Sequence, residues 1–499
     1  MFGWTVDREV FLRFVAGDAF RVLGTKHDLT YVMVANRKSL DNTALTQNLQ
    51  SSGKQVIWVP FNPERFKRWK ELFDISCILH ESRSSSLAVR NQEGWARDDP
   101  DWFAHLKTLA RPGVYEDYRD RMERNMGVHP EILTATLRER PDFFVLPSAL
   151  LDCVTDDVLQ IAEALSIPTL LLVAGWDNLS SKGLLYHKPT LVGVWGEQSK
   201  KHAVEVQGLD ADRVYVVGAP HYDGFRKSEH VDQAVVRQAL GLPSTGILVL
   251  FAGTLRLFDE TQLLQEMDDA IDSGNLPAMH ILYRPHPLRD TRRSERSFLD
   301  RAWRHITMDP EMVEAYRARS PDSVLSRIDH LQQLYQTVDA VISPMSTILL
   351  EGLLFGLPTM AVAFGDGKHS WSADKVSRML HFKELYEVPS LIVCRERTDF
   401  FLSVRQLVSN VGNDILSTSL RESAKYFVYH DELSYGDRIA ALVEIMLAGV
   451  QRTPRYDSVR VKPDKRFLIR NWWNDSRIKR LSHVARRKFF RWHPRRKHE

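Results

Sequence analysis

Reactive side chains gather in the stretch GWDNLSSKG at residues 175–183, directly after the apolar run IPTLLL. Polar residues at the end of a predicted buried strand either form a turn or contact a ligand. Asp177 could take a proton from a hydroxyl group during group transfer, and Lys182 could orient that carboxylate or meet a phosphate. Trp176 and Asn178 could contact a hydroxyl-bearing acceptor. The alternative is an Asx-type turn, with Trp176 in the core and Lys182 in solvent.

Two further stretches place cations and a hydroxyl after predicted strands in the second half of the chain. In FAGTLR, Thr254 offers a hydroxyl and Arg256 a planar cation suited to phosphate, while the glycine lets the backbone approach a ligand closely. In YRPHPLRD, two prolines hold His286 in an extended turn beside Arg284. Since open α/β sheets bind ligands beyond the carboxyl ends of their strands, these positions favour an anionic ligand.

A third stretch, SPMSTILLEGLLFGLP, predicts a strand end followed by a helix that begins near Ser346. Free backbone N–H groups at that helix start, together with the hydroxyls of Ser346 and Thr347, would bind an anion. Glu351, further along the helix, could accept hydrogen bonds from ribose hydroxyls. The alternative is ordinary helix capping, with Glu351 as a routine helix residue. Together the three stretches predict a nucleotide site, although the chain has neither a Walker A sequence nor a G-x-G-x-x-G fingerprint.

The elements that must position these residues follow an α/β pattern. Apolar β-rich runs alternate with amphipathic helical stretches, which is typical of parallel sheets covered by helices. A chain of 499 residues exceeds what one hydrophobic core supports. The pattern predicts two Rossmann-like doubly wound domains at residues 1–228 and 229–450, with a charged helical insertion at about 84–140. A helical pattern precedes the first clear strand, so the usual opening strand is either missing or compressed into GWTV.

Composition argues against several classes of protein. Hydrophobic residues make up 43% of the chain, as in globular proteins, and no apolar run approaches the roughly 18–20 residues that span a bilayer. The N-terminal MFGWTVDREVFLRF carries charges among its apolar residues, which does not match a signal peptide. The three cysteines are far apart and form no metal-type spacing, which favours buried thiols in a reducing cytoplasm.

Positive charge is concentrated near the C-terminus. Residues 451–499 hold 17 Lys and Arg against 4 Asp and Glu, a net charge of +13, so the other 450 residues carry −10 within the overall +3. Residues 459–499 interleave tryptophan and phenylalanine with these cations, a composition typical of interfacial membrane helices. We expect this basic tail at residues 451–499 to bind an anionic membrane surface through residues 459–499. Nucleic-acid binding and a disordered basic tail are the alternatives, and no nucleic-acid partner is expected.

Nucleotide binding without either fingerprint, on two doubly wound domains, points to the GT-B architecture, in which the donor nucleotide lies on the second domain and the acceptor enters from the first. The order FAGTLR, RPHP, SPMSTILLEG resembles the donor domain of the CDP-glycerol glycerophosphotransferase superfamily and related bacterial surface-polysaccharide glycosyltransferases. In the first domain, Trp176 and Lys182 match that family's Trp-His-Gly-Thr and Lys positions. Gly218, Pro220 and Asp223 match its Gly-x-Pro-Arg-x-Asp stretch.

The resemblance implies a donor site on the second domain and one departure on the first. The residues assigned to donor binding, including Arg284 beside the matched positions, are Thr254, Arg256, Arg284, His286, Ser346, Thr347 and Glu351. The family's catalytic histidine position is Asp177 here, and this replacement counts against polyol-phosphate transfer. Asp177 and Lys182 are the expected catalytic residues, and Trp176 and Asn178 are expected to bind the acceptor.

These features predict a metal-independent GT-B glycosyltransferase that moves a sugar from a nucleotide-sugar donor to a surface glycan or lipid-linked acceptor, with no further cofactor. An inverting transfer would use Asp177 as base, with Glu197 as its rival, and a retaining transfer would need no enzyme base. No Asp-x-Asp pair ends a predicted strand of the second domain, which argues against a catalytic metal. The alternatives are a CDP-glycerol or polyol-phosphate transferase, a UDP-sugar 2-epimerase and a non-catalytic nucleotide-binding scaffold. We expect the protein in the cytoplasm, peripheral at the inner face of a bacterial membrane.

Overall fold

The structure of the protein is a computed structural model. It describes residues 2–4, 14, 19–35, 55–79, 87–150, 153–227, 231–254, 258–286, 298, 301–318, 328–369, 373–377, 379–449, 454–457 and 463. Arg256 and, apart from Pro463, the predicted membrane-binding segment at residues 459–499 lie outside the described residues. Two parallel β-sheets organise the described chain.

The first sheet has seven parallel strands in the order β3-β2-β1-β4-β5-β6-β7. They are β1 (Phe2–Trp4), β2 (Thr30–Ala35), β3 (Gln55–Pro60), β4 (Phe144–Ser148), β5 (Thr169–Val173), β6 (Leu191–Val194) and β7 (Val214–Val216). The opening strand is present as β1, which pairs with β2 and β4, so the compressed form is the correct alternative. All of β5, TLLLV, is buried, because helices cover both faces of a parallel sheet.

The second sheet has six parallel strands in the order β10-β9-β8-β11-β12-β13. They are β8 (Ile247–Ala252), β9 (Met279–Arg284), β10 (Ile306–Met308), β11 (Ala340–Ser343), β12 (Thr359–Val362) and β13 (Ile392–Cys394). The apolar runs GILVLFAG, HILYRPHP, AVISP, TMAVAFG and LIVC predicted β8, β9, β11, β12 and β13, but no run predicted β10. That strand has only three residues, too few to show a periodicity against its charged surroundings.

Helices lie around both sheets, and buried side chains form a core on each face of each sheet. In the first part of the chain they are α1 (Arg21–Lys26), α2 (Pro63–Leu79), α3 (Leu87–Asp98), α4 (Pro100–Leu109), α5 (Val114–Met126), α6 (Pro130–Glu139), α7 (Cys153–Leu165), α8 (Asn178–Ser181), α9 (Glu197–Glu205) and α10 (Pro220–Lys227). The predicted helical insertion corresponds to α3–α6. It packs against α2 through a small core that includes Leu72, Ile75, Leu106 and Tyr115.

The second part of the chain is also rich in helices. They are α11 (Gln233–Ala239), α12 (Glu260–Asp272), α13 (Pro310–Ala318), α14 (Ile328–Thr337), α15 (Thr347–Phe355), α16 (Ala373–Val376), α17 (Leu380–Leu385), α18 (Phe400–Ser409), α19 (Asp414–Ala424) and α20 (Tyr435–Ala448). Of the helices that the structure describes, none is both long and apolar enough to cross a membrane.

Helix α20 returns to the first sheet. Its apolar face, including Ile439 and Val443, shares a core with Leu170 and Leu172 of β5. Arg438 donates from Nε to the carbonyl oxygen of Val217 at 2.7 Å. This helix therefore packs with the first sheet, although its residues lie within the segment predicted as the second domain.

Candidate active site

The second sheet has a point at which successive strands diverge. From β8 the chain moves outward to β9 and β10, and it then returns to β11 on the other side of β8. The Ser343 hydroxyl at the end of β11 donates to the carbonyl oxygen of Ala252 at 2.8 Å, which joins the ends of β11 and β8. Open α/β sheets bind ligands in the crevice at such a point. The stretches that follow these two strands contain Thr254, Ser346 and Thr347, so three predicted donor-binding residues follow neighbouring strand ends.

A buried glutamate shapes the turn after β8. Glu260 is 0% exposed, and its carboxylate accepts the backbone N–H of Thr254 at 2.6 Å and the hydroxyl of Tyr283 at 2.7 Å. A Cβ on Gly253 would lie 2.2 Å from Glu260 Oε2, so the turn requires glycine. The Thr254 hydroxyl is buried and has no hydrogen-bond partner among the described residues. Since buried hydroxyls are normally bonded, this group keeps unused hydrogen-bonding capacity at the end of β8 among the described residues.

Helix α15 begins beside the same crevice. Ser346 caps it, because its side-chain oxygen accepts the backbone N–H of Ile348 at 3.3 Å, so the predicted helix start is confirmed. Ser346 and Thr347 are half-buried. The first N–H groups of a helix carry partial positive charge, which attracts anions. The helix start therefore suits a phosphate group.

Glu351 lies one turn inside α15 and is 7% exposed. Its carboxylate accepts the hydroxyl of Tyr222 at 3.0 Å and also the hydroxyl of Tyr335. Tyr222 belongs to α10, which follows the last strand of the first sheet, so this carboxylate connects the two halves of the molecule. Because both of its oxygens already accept a tyrosine hydroxyl, the ribose contact of Glu351 stays a prediction.

Arg284 needs a correction. This residue ends β9 and is 3% exposed, and its guanidinium donates to the carboxylates of Asp309 and Glu311, the latter at 2.8 Å. His330 Nε2 lies 3.1 Å from Asp309 Oδ1. Two carboxylates of the same half of the molecule thus neutralise the arginine, which makes it a poor phosphate ligand. Nothing in YRPHPLRD indicated these partners, because Asp309 follows β10, Glu311 lies in α13 and His330 lies in α14.

His286 follows β9 at the same edge of the sheet and is half-buried. We expect His286→Ala to weaken nucleotide binding about 2–10-fold, the effect of losing one hydrogen bond of about 0.5–1.5 kcal/mol. Calorimetric titration measures this, with the exposed His105→Ala as a matched control. An unchanged Kd for His286→Ala would remove this histidine from the site.

Asp177 lies at the start of α8, directly beyond β5. It accepts the Ser181 hydroxyl at 2.7 Å and the Asn178 amide at 3.2 Å, and Lys182 Nζ lies 3.3 Å from its Oδ2. Burial alone would raise the pKa of this carboxyl group. Lys182, His381 and the bond from Ser181 outweigh burial and hold the pKa well below its usual range. Asp177 is therefore ionised and paired, and a carboxylate of such low pKa is a weak general base.

His381, in α17, is a residue that the sequence analysis missed. It is 3% exposed, its Nδ1 lies 3.3 Å from Ser180 Oγ, and its ring packs edge-on against Trp176 at 5.0 Å between centroids. Burial, which outweighs the attraction of Asp177, lowers the pKa of His381 to about 4, so the ring is neutral at pH 7. The surrounding LHFKEL carries no motif, and only tertiary packing brings it to the Asp177 stretch.

Trp176 also needs a correction, whereas Asn178 does not. Trp176 is 3% exposed and its ring packs edge-on against Phe382 as well as His381, so it is a core residue and has little surface for an acceptor. Asn178 is 5% exposed, and its amide oxygen has no hydrogen-bond partner within the described ranges. That oxygen could accept a bond from an acceptor hydroxyl, so the acceptor role of Asn178 stays a prediction.

The sequence matches no protein-family model and no curated protein at significant similarity. Solved structures are similar in three dimensions. An S. aureus MnaA structure with UDP is 12% identical in sequence, with a TM-score of 0.50. The alignment covers 91% of this chain and 97% of the MnaA chain. A Listeria monocytogenes protein described as a UDP-N-acetylglucosamine 2-epimerase is 13% identical, with a TM-score of 0.51 over 91% of this chain and 97% of its own. The chain has a GT-B fold.

A Rickettsia africae glycosyltransferase is also similar, at 10% identity and a TM-score of 0.47 over 91% of this chain and 98% of its own. At such identities a likeness establishes the fold alone. The likenesses with TM-scores of 0.50 and 0.51 confirm the GT-B architecture that the motifs indicated. Most of the predicted site residues lie at the strand ends of its two parallel sheets.

Proposed function

We propose that the protein is a glycosyltransferase that moves a sugar from a nucleotide-sugar donor to a surface glycan or lipid-linked acceptor. The observation that carries this proposal is the point between β8 and β11 where the strand order reverses, because the Thr254 hydroxyl and the Ser346-capped helix start lie at these neighbouring strand ends. Together they offer a hydroxyl and backbone N–H groups to a diphosphate. A similar structure that contains UDP supports a nucleotide as the ligand.

In this proposal the donor phosphates lie over the start of α15 and the acceptor approaches from the Asp177 side. Lys182, whose side chain is 26% exposed, stabilises the negative charge that develops on the departing phosphate. Asp177 holds Lys182 and α8 in position, a role that its low pKa favours over that of a base. We assign the proton transfer of an inverting reaction to Glu197, which is exposed at the start of α9, just beyond β6.

A UDP-sugar 2-epimerase is the second candidate, because a similar structure carries that description. The two reactions differ in what they need, since an epimerase acts on the nucleotide-sugar alone and a transferase needs an acceptor. Incubation with UDP-N-acetylglucosamine and other nucleotide-sugars, with and without bacterial lipid-linked glycan, separates them by NMR. Nucleotide release only in the presence of acceptor supports transfer. Inversion at C2 without acceptor supports epimerisation, and binding without either reaction supports a scaffold.

The same assay tests the polyol-phosphate alternative. CDP-glycerol is supplied with the lipid-linked glycan, and release of CMP identifies the transfer of glycerol phosphate. We expect none, because the histidine position of that family is Asp177 in this chain. CMP release that depends on the acceptor would overturn the glycosyl-transfer proposal.

We further propose that the protein works at the inner face of the cell membrane, held there by its basic tail. Deleting residues 459–499 should weaken binding to vesicles that contain anionic lipid by at least about 10-fold, because each basic residue near such a surface contributes about 1 kcal/mol. The chain should still fold, since α20 ends at Ala448 and the deletion removes one described contact, the bridge between Pro463 and Val128. Co-sedimentation with vesicles measures the binding, and neutral vesicles are the control. Undiminished binding of the truncated chain would contradict the membrane role.

A further inference from the structure

A cluster of ionisable side chains lies away from the nucleotide crevice, where the helical insertion meets the first sheet. Glu123 of α5, Asp156 of α7 and His187 of the loop after α8 bring one ligand atom each to within 4.8 Å of one another. The contact between Glu123 Oε1 and His187 Nε2 is 3.6 Å. That separation is too long for a hydrogen bond, but it is close to the spacing of two ligands that share one small metal ion.

The orientation of His187 fits metal binding. Its Nδ1 lies 3.0 Å from Glu163 Oε2, and its Nε2 lies 3.6 Å from Glu123 Oε1, so Nε2 is the atom that would ligate a metal ion once it has lost its proton. The Gln160 amide nitrogen, 3.4 Å from Nε2, is a long contact on the same side. Histidines that ligate metals generally donate their other ring N–H to a carboxylate or carbonyl, which fixes the ring and raises its basicity. Glu163 supplies that outer partner.

Polar groups around the cluster lack partners. Glu123 Oε1 is buried and has no hydrogen-bond partner in the described part of the chain. The hydroxyl of Tyr115, a residue 3% exposed, has none there either. The cluster therefore brings the carboxylates of Glu123, Asp156 and Glu163 around one histidine, with Arg119 Nε 4.0 Å from Glu123 Oε1.

We propose that Glu123, Asp156 and His187 bind one divalent transition-metal ion of the zinc type, with Glu163 as the residue that positions His187. One imidazole and two carboxylates form a borderline ligand set that suits zinc better than calcium or magnesium, which prefer oxygen ligands alone. The ion would connect α5 of the insertion to α7 and to the loop that follows Lys182. Its role is structural, and it lies outside the nucleotide crevice.

The test uses the full-length protein, stripped with chelator and dialysed against Zn²⁺ alone, with metal content measured per chain. We expect one Zn²⁺ per chain for the wild type and a raised melting temperature on loading. His187→Gln should lose stoichiometric binding. Glu163→Gln keeps all three ligands and should weaken the Zn²⁺ affinity about 10–100-fold, the usual effect of removing an outer partner.

The matched control is His105→Gln, which removes an exposed histidine of α4 that lies 3.5 Å from Glu71. It should bind Zn²⁺ as the wild type does. Circular dichroism of the stripped variants shows whether each is folded, and Glu163→Gln tests the site even if His187→Gln does not fold. Failure of the wild type to take up stoichiometric Zn²⁺ would overturn the proposal. So would equal Zn²⁺ affinity of the wild type and both His187→Gln and Glu163→Gln, because the ions would then bind elsewhere.

Discussion

Replacing Gly253 with alanine should raise the Kd for nucleotide by about 100-fold, a loss of about 2.7 kcal/mol. The new Cβ would lie 2.2 Å from Glu260 Oε2 and 2.8 Å from its carboxyl carbon. Glu260 has no room to retreat without cost, because it is fully buried and holds the Thr254 N–H and the Tyr283 hydroxyl. Displacing it breaks these bonds and shifts the turn that presents Thr254 to the crevice.

The same change should lower the free energy of unfolding by at least about 2 kcal/mol, since a buried charged group loses its donors. Nucleotide titration and denaturant unfolding measure the two effects. Gly94→Ala is the control, because a Cβ at this position of α3 meets nothing within 4 Å and alanine favours a helix. Wild-type affinity in Gly253→Ala would show that the turn after β8 is not part of the donor site.

Asp177→Asn and Lys182→Met should each lower kcat/KM for transfer by about 100-fold, the scale of losing one group that stabilises transition-state charge. Each removes one half of the pair whose charged atoms lie 3.3 Å apart. Asp177→Asn should not change the Kd for nucleotide, because Asp177 lies beyond β5 of the first sheet and contacts no donor phosphate in this proposal. For this variant the loss should appear in kcat rather than in donor binding.

The double variant separates the two possible roles of Asp177. If Asp177 acts by holding Lys182, the double variant should be no slower than either single variant, since coupled residues are not additive. If Asp177 were itself the base, its loss would add to that of Lys182, and additive losses would overturn the anchoring role. Glu197→Gln is the companion measurement and should reduce kcat about 10²–10⁴-fold if Glu197 takes the acceptor proton.

Most of the fold could be predicted from the sequence, because the patterns that specify strands and helix starts lie within short stretches of the chain. The run TLLLV is apolar throughout, since β5 is buried on both faces, and the Ser-Thr pair before an apolar helix marked the start of α15. Strand β10 was missed because Ile306–Met308 is too short to show the alternation of apolar and polar residues that marks a strand. Helix α20 has an ordinary amphipathic pattern, and nothing in it tells which sheet it joins.

The site could be predicted only in part, because the sequence shows which residues follow strands but not which side chains they contact. Thr254 and Ser346 lie where the motifs indicated, at neighbouring strand ends. Arg284 has the expected position, yet Asp309 and Glu311 neutralise it, and both belong to a part of the chain that carried no motif. Trp176 likewise follows a strand as expected, but a helix some 200 residues further on covers its ring.

The measurement that tests the central claim most directly is nucleotide binding by the full-length protein. UDP, CMP, CDP and GDP are first compared by thermal shift, where a ligand at a hundredfold excess over Kd adds about 2.7 kcal/mol of stability. Calorimetry with the best ligand then compares the wild type with Thr254→Val and Ser346→Ala. Ser390→Ala, which removes a hydroxyl that pairs with Ser419, is the control. We predict that at least one nucleotide binds, that the two site variants weaken it about 2–10-fold each, and that the control does not. Binding of no nucleotide, or equal affinity in the wild type and both site variants, would contradict a donor site between β8 and β11.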